Sequence, residues 1–144
     1  MVPHVIEPSH GLDRILYTCL EHAYSVDGEY TRLVLSQEAA PIKVGVFPLM
    51  ARDDLDKKAM ELDRTLREGG IVTYYDESGS IGRRYARMDE VGTPYCITVD
   101  YEVFENGTVT VRERDSSRQV RLPFETAVSA VKALLDGRPF DGIA

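Results

Sequence analysis

The chain has no basic excess. Its 144 residues carry 17 Lys+Arg against 24 Asp+Glu, a formal net charge of −7. A protein held to nucleic acid by its overall field shows the opposite balance. Any RNA contact must therefore come from a local basic patch or from the reading of a few unpaired bases, and the net field slows encounter with a polyanion. Long apolar runs are also lacking. None approaches the roughly 20 residues of a membrane span, and the opening MVPHVIE has no basic start followed by an apolar stretch of the secretory kind. Cysteine is scarce. Cys19 and Cys96 lie far apart, each in an apolar pattern, which reads as two buried free thiols and points to the cytoplasm. Gly79, Gly82 and Gly92 do not have the spacing of a phosphate-binding loop. No Cys/His cluster has zinc spacing. His4, His10 and His22 stand apart from any nucleophile and read as surface or packing residues. There is no internal repeat.

What the chain does have is a core: 43% hydrophobic and 28% charged residues suit one medium domain with an appendage. Residues 10–23, HGLDRILYTCLEHA, place Leu12, Ile15, Leu16, Cys19, Leu20 and Ala23 on one stripe at helical spacing. Ser9 or Asp13 is positioned to satisfy its first amides. The preceding MVPHVIE is extended and β-branched, and a lone strand and helix of this kind expose apolar surface unless they pack on something larger. Residues 25–40 are mixed and polar and read as a linker, with one short strand candidate at Leu33–Leu35.

From Pro41 the pattern becomes regular. Residues 42–49 are a buried strand. Asp53 or Asp54 opens a helix with Leu55, Ala59, Leu62 and Leu66 on one face, and Gly69-Gly70 ends it. Residues 71–75 form a second strand. Ile81, Tyr85, Met88 and Val91 mark a second helix, stopped by Gly92, and residues 94–99 a third strand. Asn106-Gly107 then precedes an alternating run, residues 108–114, with Val109 and Val111 on one face and Arg112 and Arg114 on the other. Asp115-Ser116-Ser117 turns it into residues 119–122 as a hairpin. Pro123 starts a last helix carrying Phe124, Val128, Val131, Leu134 and Leu135 inward, closed by Asp136-Gly137. The expected order, β-α-β-α-β-β-β-α, gives an α/β fold: a mixed five-stranded sheet flanked by three helices, with an N-terminal strand-helix appendage. This architecture alone hosts many functions.

Two segments carry a resemblance. VIEPSHGLDRIL, residues 5–16, resembles motif 3 of class II aminoacyl-tRNA synthetases in the form seen in glycyl enzymes. DESGSIGRRYARMDEVGTPYCITVDY, residues 76–101, continued by TVTVRERDSSRQVRL, residues 108–122, is similar to the anticodon-binding domain of archaeal and eukaryotic glycyl-tRNA synthetases. The resemblance spans nearly the whole chain in the expected order. It implies three parts: residues 1–24 as the end of a class II catalytic domain, 25–40 as linker, 41–144 as anticodon-binding domain.

By the same resemblance Arg14 takes the place of the arginine that contacts the ATP γ-phosphate, a suitable role for a guanidinium with paired donors and a permanent charge. Glu7 and Ser9 take the places that help hold the glycine substrate, and His10 stands where an aromatic Phe is expected. The implied parent is a glycine–tRNA ligase, a homodimer using ATP and Mg2+, whose catalytic domain carries motifs 1 and 2. Those motifs do not occur in these residues. The expectation is therefore a chain that binds no cofactor and is inactive alone, with glycine tRNA and the missing catalytic domain as partners and no membrane. Two alternatives stand beside it: a stand-alone anticodon-domain paralogue or accessory module, and a small-molecule regulatory domain on the same sheet.

Glycine anticodons share two cytosines, and an unpaired cytosine presents an amino donor and two acceptors. Its readers should combine a carboxylate with basic donors and an aromatic or guanidinium plane. The candidates, in order, are Arg112, Arg114 and Arg83, then Glu113 and Arg84. Strand alternation sets Glu113 on the face opposite Arg112. Three arginines within two turns, Arg83, Arg84 and Arg87, cannot all face one ligand, and an ion-paired surface role is the standing alternative for each. Tyr74, Tyr75, Tyr95, Tyr101 and Phe104 are the aromatic candidates.

Overall fold

The computed structural model describes residues 4–28 and 30–143, so the first part of the expected MVPHVIE strand lies outside the described residues. Residues 4–11 form no regular element and lead into α1, Leu12–Ala23. Neither Ser9 nor Asp13 caps that helix. Gly11 occupies the capping position, with no side-chain hydrogen bond. The apolar stripe of α1 is real but faces outward: Leu12, Ile15, Leu16 and Leu20 are exposed and only Ala23 is buried.

Residues 25–40 are more ordered than a linker. Strand β1, Tyr24–Asp27, pairs antiparallel with β2, Tyr30–Leu33, so the strand lies earlier than the Leu33–Leu35 candidate. The bend at Gly28 has φ 63°, and Asp27-Gly28 is a standard hairpin signal. After β2, Lys43 gathers the chain. Its ammonium donates to the carbonyls of Gln37 at 2.6 Å, Glu38 at 3.0 Å and Ala40 at 2.8 Å.

The main sheet has the order β4-β3-β5-β6-β7. Strands β3 (Val44–Pro48), β4 (Thr73–Tyr75) and β5 (Tyr95–Val99) run parallel, while β6 (Thr108–Glu113) and β7 (Gln119–Pro123) add an antiparallel hairpin. From β3 the chain moves to one side through α2 (Leu55–Glu68) to reach β4, then crosses back over β3 through α3 (Ile81–Val91) to reach β5. Right-handed crossovers taken in opposite directions put their helices on opposite faces. Strand alternation fits this arrangement. Val44, Val46, Ile97, Val99, Val109 and Val111 meet α2 and the last helix, α5 (Phe124–Leu135), in the larger core. Phe47 and Cys96 meet Met88 of α3, with Ile81 and Tyr85 packed beside them, in a smaller one. That second face is tight at Gly45, where an added Cβ would lie 2.7 Å from the Phe47 ring.

The expected mixed five-stranded sheet and its helices are thus present. A four-residue helix, α4 (Glu102–Glu105), and a 3-10 turn at Phe140–Gly142 complete the chain. Cys96 is buried as expected, and burial pushes its thiol up to about 12. Cys19 is exposed, because the α1 face that carries it has no covering.

Candidate nucleic-acid interface

Helix α3 packs over β3 and β5 and leaves the same face of β7, with Gln119 and Arg121, exposed. Alternation turns Thr110 and Arg112 of β6 onto this side, next to Thr98 of β5. The hairpin β1–β2 stands against the outer side of α3. Between hairpin, helix and sheet edge lies a cavity of about 340 Å³, lined among others by Tyr30, Arg32, Tyr85, Asp89, Arg112 and Ser117. That volume is at the lower end for small-ligand sites, about 300–1,000 Å³.

Arg112 and Asp89 form the centre. Nη1 donates to Asp89 Oδ1 at 2.9 Å and Nη2 to Oδ2 at 2.9 Å, a fork-on-fork pair, and Nη2 also donates to Ser117 Oγ at 3.0 Å. The guanidinium carbon lies 4.8 Å from the Tyr85 ring centre, a cation–π contact. Burial pulls the Arg112 pKa down, but the hydrogen bond and charge of Asp89 outweigh it and hold the group above its ordinary value. Tyr85 is fixed in turn. Its hydroxyl bonds Thr98 Oγ1 at 2.6 Å, its ring meets Phe47 edge-on at 5.7 Å, and burial raises its pKa.

The pair is not saturated. A guanidinium has five N–H donors and a carboxylate about four acceptor positions, and Arg112 spends three donors on Asp89 and Ser117. Further acceptors come from Asp27 and Glu90, and a second guanidinium from Arg32. Three carboxylates against two guanidiniums make a poor phosphate site. Interleaved donors and acceptors beside an aromatic ring suit a flat heterocycle bearing an amino group and ring acceptors.

The other expected residues fall elsewhere. Arg114 is buried with its donors spent on the fold: on Gly92 O at 2.8 Å, Leu35 O at 3.0 Å and Asp115 Oδ1 at 2.7 Å. Arg84 is buried too, donating to the carbonyls of Pro48 and Gly79. Arg87 binds Asp76 Oδ2 at 2.6 Å. These three hold loops in place. Glu113 turns away from Arg112, as alternation requires, and bonds Ser116. Arg83 is exposed on α3, outside the lining of this cavity. Of the aromatic candidates, Tyr95 is buried in a stack with Phe140. Tyr74, Tyr101 and Phe104 are exposed at other positions, and Tyr75 bonds Glu77 at 2.7 Å. In the sequence Tyr85 is one of the residues that mark the second helix, and Asp89 stands only as one of two acidic residues that follow Arg83, Arg84 and Arg87 on it. Helical spacing of four between them was the available signal, since it stacks the two on one face of α3.

Glu7, Ser9 and Arg14 are all exposed. Among the described residues no group of three or more His, Cys, Asp or Glu side chains gathers to hold a metal, and no helix is long and apolar enough to cross a membrane.

Residues 43–134, more than half of the chain, match the family model described as "Anticodon binding domain". The chain belongs to the anticodon-binding domain family. Among full-length proteins it is similar to glycine–tRNA ligases: 52% identical over 132 residues to that of Methanococcus maripaludis, covering 92% of this chain and 23% of the relative. To the enzyme of Archaeoglobus fulgidus it is 53% identical over 139 residues, covering 94% of this chain and 24% of the relative. The chain thus spans about a quarter of the length of these curated relatives. Its fold is similar to that of prolyl-tRNA synthetase from Cryptosporidium parvum, solved with L-proline and AMP. That likeness has a TM-score of 0.67 and 23% identity, over 72% of this chain and 22% of the other.

Proposed function

We propose that the chain binds the anticodon region of glycine tRNA, as the anticodon-binding part of a glycine–tRNA ligase. The observation that supports this reading is the Arg112–Asp89 pair laid on Tyr85, inside residues 43–134 and beside an open cavity. An anticodon cytosine offers its amino group to Asp89 and accepts from the unspent donors of Arg112. Arg83, exposed on the same helix, supplies charge to the RNA backbone. Arg114 and Arg84 act from beneath, by holding the end of α3 and the loops around it.

The test is titration of the chain with glycine tRNA and with a tRNA of another anticodon. Binding should favour glycine tRNA, and Arg112→Ala should weaken it by about 1–3 kcal/mol. A loss equal for both tRNAs would mean a phosphate contact. Equal binding of both tRNAs by the unaltered chain would remove the reading.

Glu7, Ser9 and Arg14 belong, in this reading, to a site for glycine and ATP with Mg2+ that other parts of a longer ligase complete. Small-ligand sites bury most of their ligand, and three exposed side chains on a lead-in and a first helical turn are at most one wall of such a site. The exposed apolar stripe of α1 is suited to pack against that catalytic portion, in a homodimeric parent. The chain alone is accordingly inactive, and turnover in ATP–pyrophosphate exchange would contradict this. The free thiols of Cys19 and Cys96 support a cytoplasmic setting.

A further inference from the structure

The cavity beside Arg112 is only partly built by the anticodon-binding family's own residues. One wall comes from the hairpin β1–β2, residues 24–33, which precede the matched span 43–134. The hairpin extends its own ladder by one rung, Val34 N–H donating to Ala23 O at 2.7 Å, and its exit is held against α3. Arg114 donates to Leu35 O at 3.0 Å and to Gly92 O at 2.8 Å, joining the hairpin's exit to the end of α3. At Gly92, φ 87°, an added Cβ would lie 2.8 Å from Leu35 Cδ1 and 3.1 Å from Leu33 O, so the hairpin's exit rests directly on the helix stop.

Within that wall Arg32 is underemployed. Its contacts are long: Nη1 to Asp115 O at 3.4 Å and Nη2 to Asp27 Oδ2 at 4.0 Å. Its Nε is buried and has no hydrogen-bond partner among the described residues. Buried donors without an acceptor are uncommon in folded proteins. Of the side-chain atoms in this condition, which include Arg84 Nε, Arg87 Nε and Thr108 Oγ1, Arg32 Nε is the one whose residue lines the cavity. Tyr30, exposed on the same strand, also lines the cavity.

We propose that the hairpin β1–β2 is a working wall of the base-binding site, with Arg32 donating from its guanidinium to a ring acceptor of an unpaired, amino-bearing base. This rests on the reading that the α3–β6 face binds the anticodon. The base lies between two guanidiniums, Arg32 on the hairpin and Arg112 on the sheet, with the Asp89 carboxylate taking its amino group. The hairpin thus adds a determinant of base identity that the sheet and α3 do not supply alone.

The experiment uses the chain and anticodon stem-loop RNAs carrying either both glycine-anticodon cytosines or a single cytosine-to-uracil change at each position. The unaltered chain should prefer the two-cytosine loop. Arg32→Lys keeps the charge but loses the planar fork, and should reduce the preference at one position by about ten-fold while leaving the other position unchanged. Arg112→Ala measured in parallel reports on the sheet side. Hydrogen exchange should also show new protection at residues 30–33 on RNA binding. Unchanged discrimination in Arg32→Lys, a loss equal for all loops, or no new protection in the hairpin would overturn the proposal while leaving the anticodon reading intact. Absence of any cytosine preference in the unaltered chain would instead remove the anticodon reading, and this proposal with it.

Discussion

Helices α1 and α2 carry similar apolar stripes and use them in opposite ways. In α2, Leu55, Ala59, Leu62 and Leu66 recur at helical spacing and all are buried under the sheet. In α1, Leu12, Ile15, Leu16 and Leu20 recur at the same spacing and all are exposed. The pattern is equally amphipathic in both. The difference is whether a partner surface is present: α2 is a crossover helix whose strands lie directly beneath it, whereas α1 precedes the hairpin and meets the rest of the chain mainly at Ala23. Periodicity therefore reports that a helix has a face to bury, and says nothing of where the burying surface is.

Charged groups follow the same division. On the α3–β6 side the pair of Arg112 and Asp89 is nearly closed from solvent, with side chains 10% and 13% exposed. On α2 the Arg64–Glu68 pair is open, with side chains 81% and 64% exposed. The comparison can be sharpened by substitution. The largest effect is expected for Asp89→Ala, which leaves a buried guanidinium uncompensated and should cost about 3–5 kcal/mol in urea unfolding. Leu62→Ala, which empties space under α2, should cost about 2–5 kcal/mol. Leu16→Ala, the matching change on α1, should stay within about 0.5 kcal/mol. A Leu16→Ala loss as large as that of Leu62→Ala would mean that α1 is packed in solution and would erase the contrast between the two helices.

The sheet was readable because its signals are local. Gly69-Gly70 and Gly92 stop helices where left-handed or close-packed backbone is needed. Asn106-Gly107 and Asp115-Ser116-Ser117 bound a hairpin whose valines alternate. Parallel order followed from the helices between strands. The hairpin β1–β2 was passed over because its strands are short and polar, although Asp27-Gly28 was the cue. Helix α4, four residues long, is too short to show a period. Side-chain partnership was the least accessible. Arg112 meets Asp89 across a helix-to-sheet junction 23 positions apart, and the arginines at 84, 112 and 114 read alike until the fold assigns one to a loop carbonyl, one to a carboxylate and one to a helix end. Tyr85 keeps its place on the apolar stripe of α3, packed edge-on against Phe47, yet its ring also carries the Arg112 guanidinium and its hydroxyl bonds Thr98, which spacing does not reveal.

The Lys43 clamp has a mechanical consequence. Tension applied to the N-terminal segment does not reach an outer strand, where pairs could open one at a time like a zip. It arrives first where the hairpin's exit rests on the end of α3, at the Arg114–Leu35 and Gly92 contacts, then at a knot of three carbonyls drawn around one ammonium, and then at β3, which is gripped on both sides by β4 and β5. Strain along that strand loads its hydrogen bonds together, in shear. The attachment point of the sheet is thus its stiffest line, a suitable anchorage for a module that must keep a fixed distance from whatever it is tethered to.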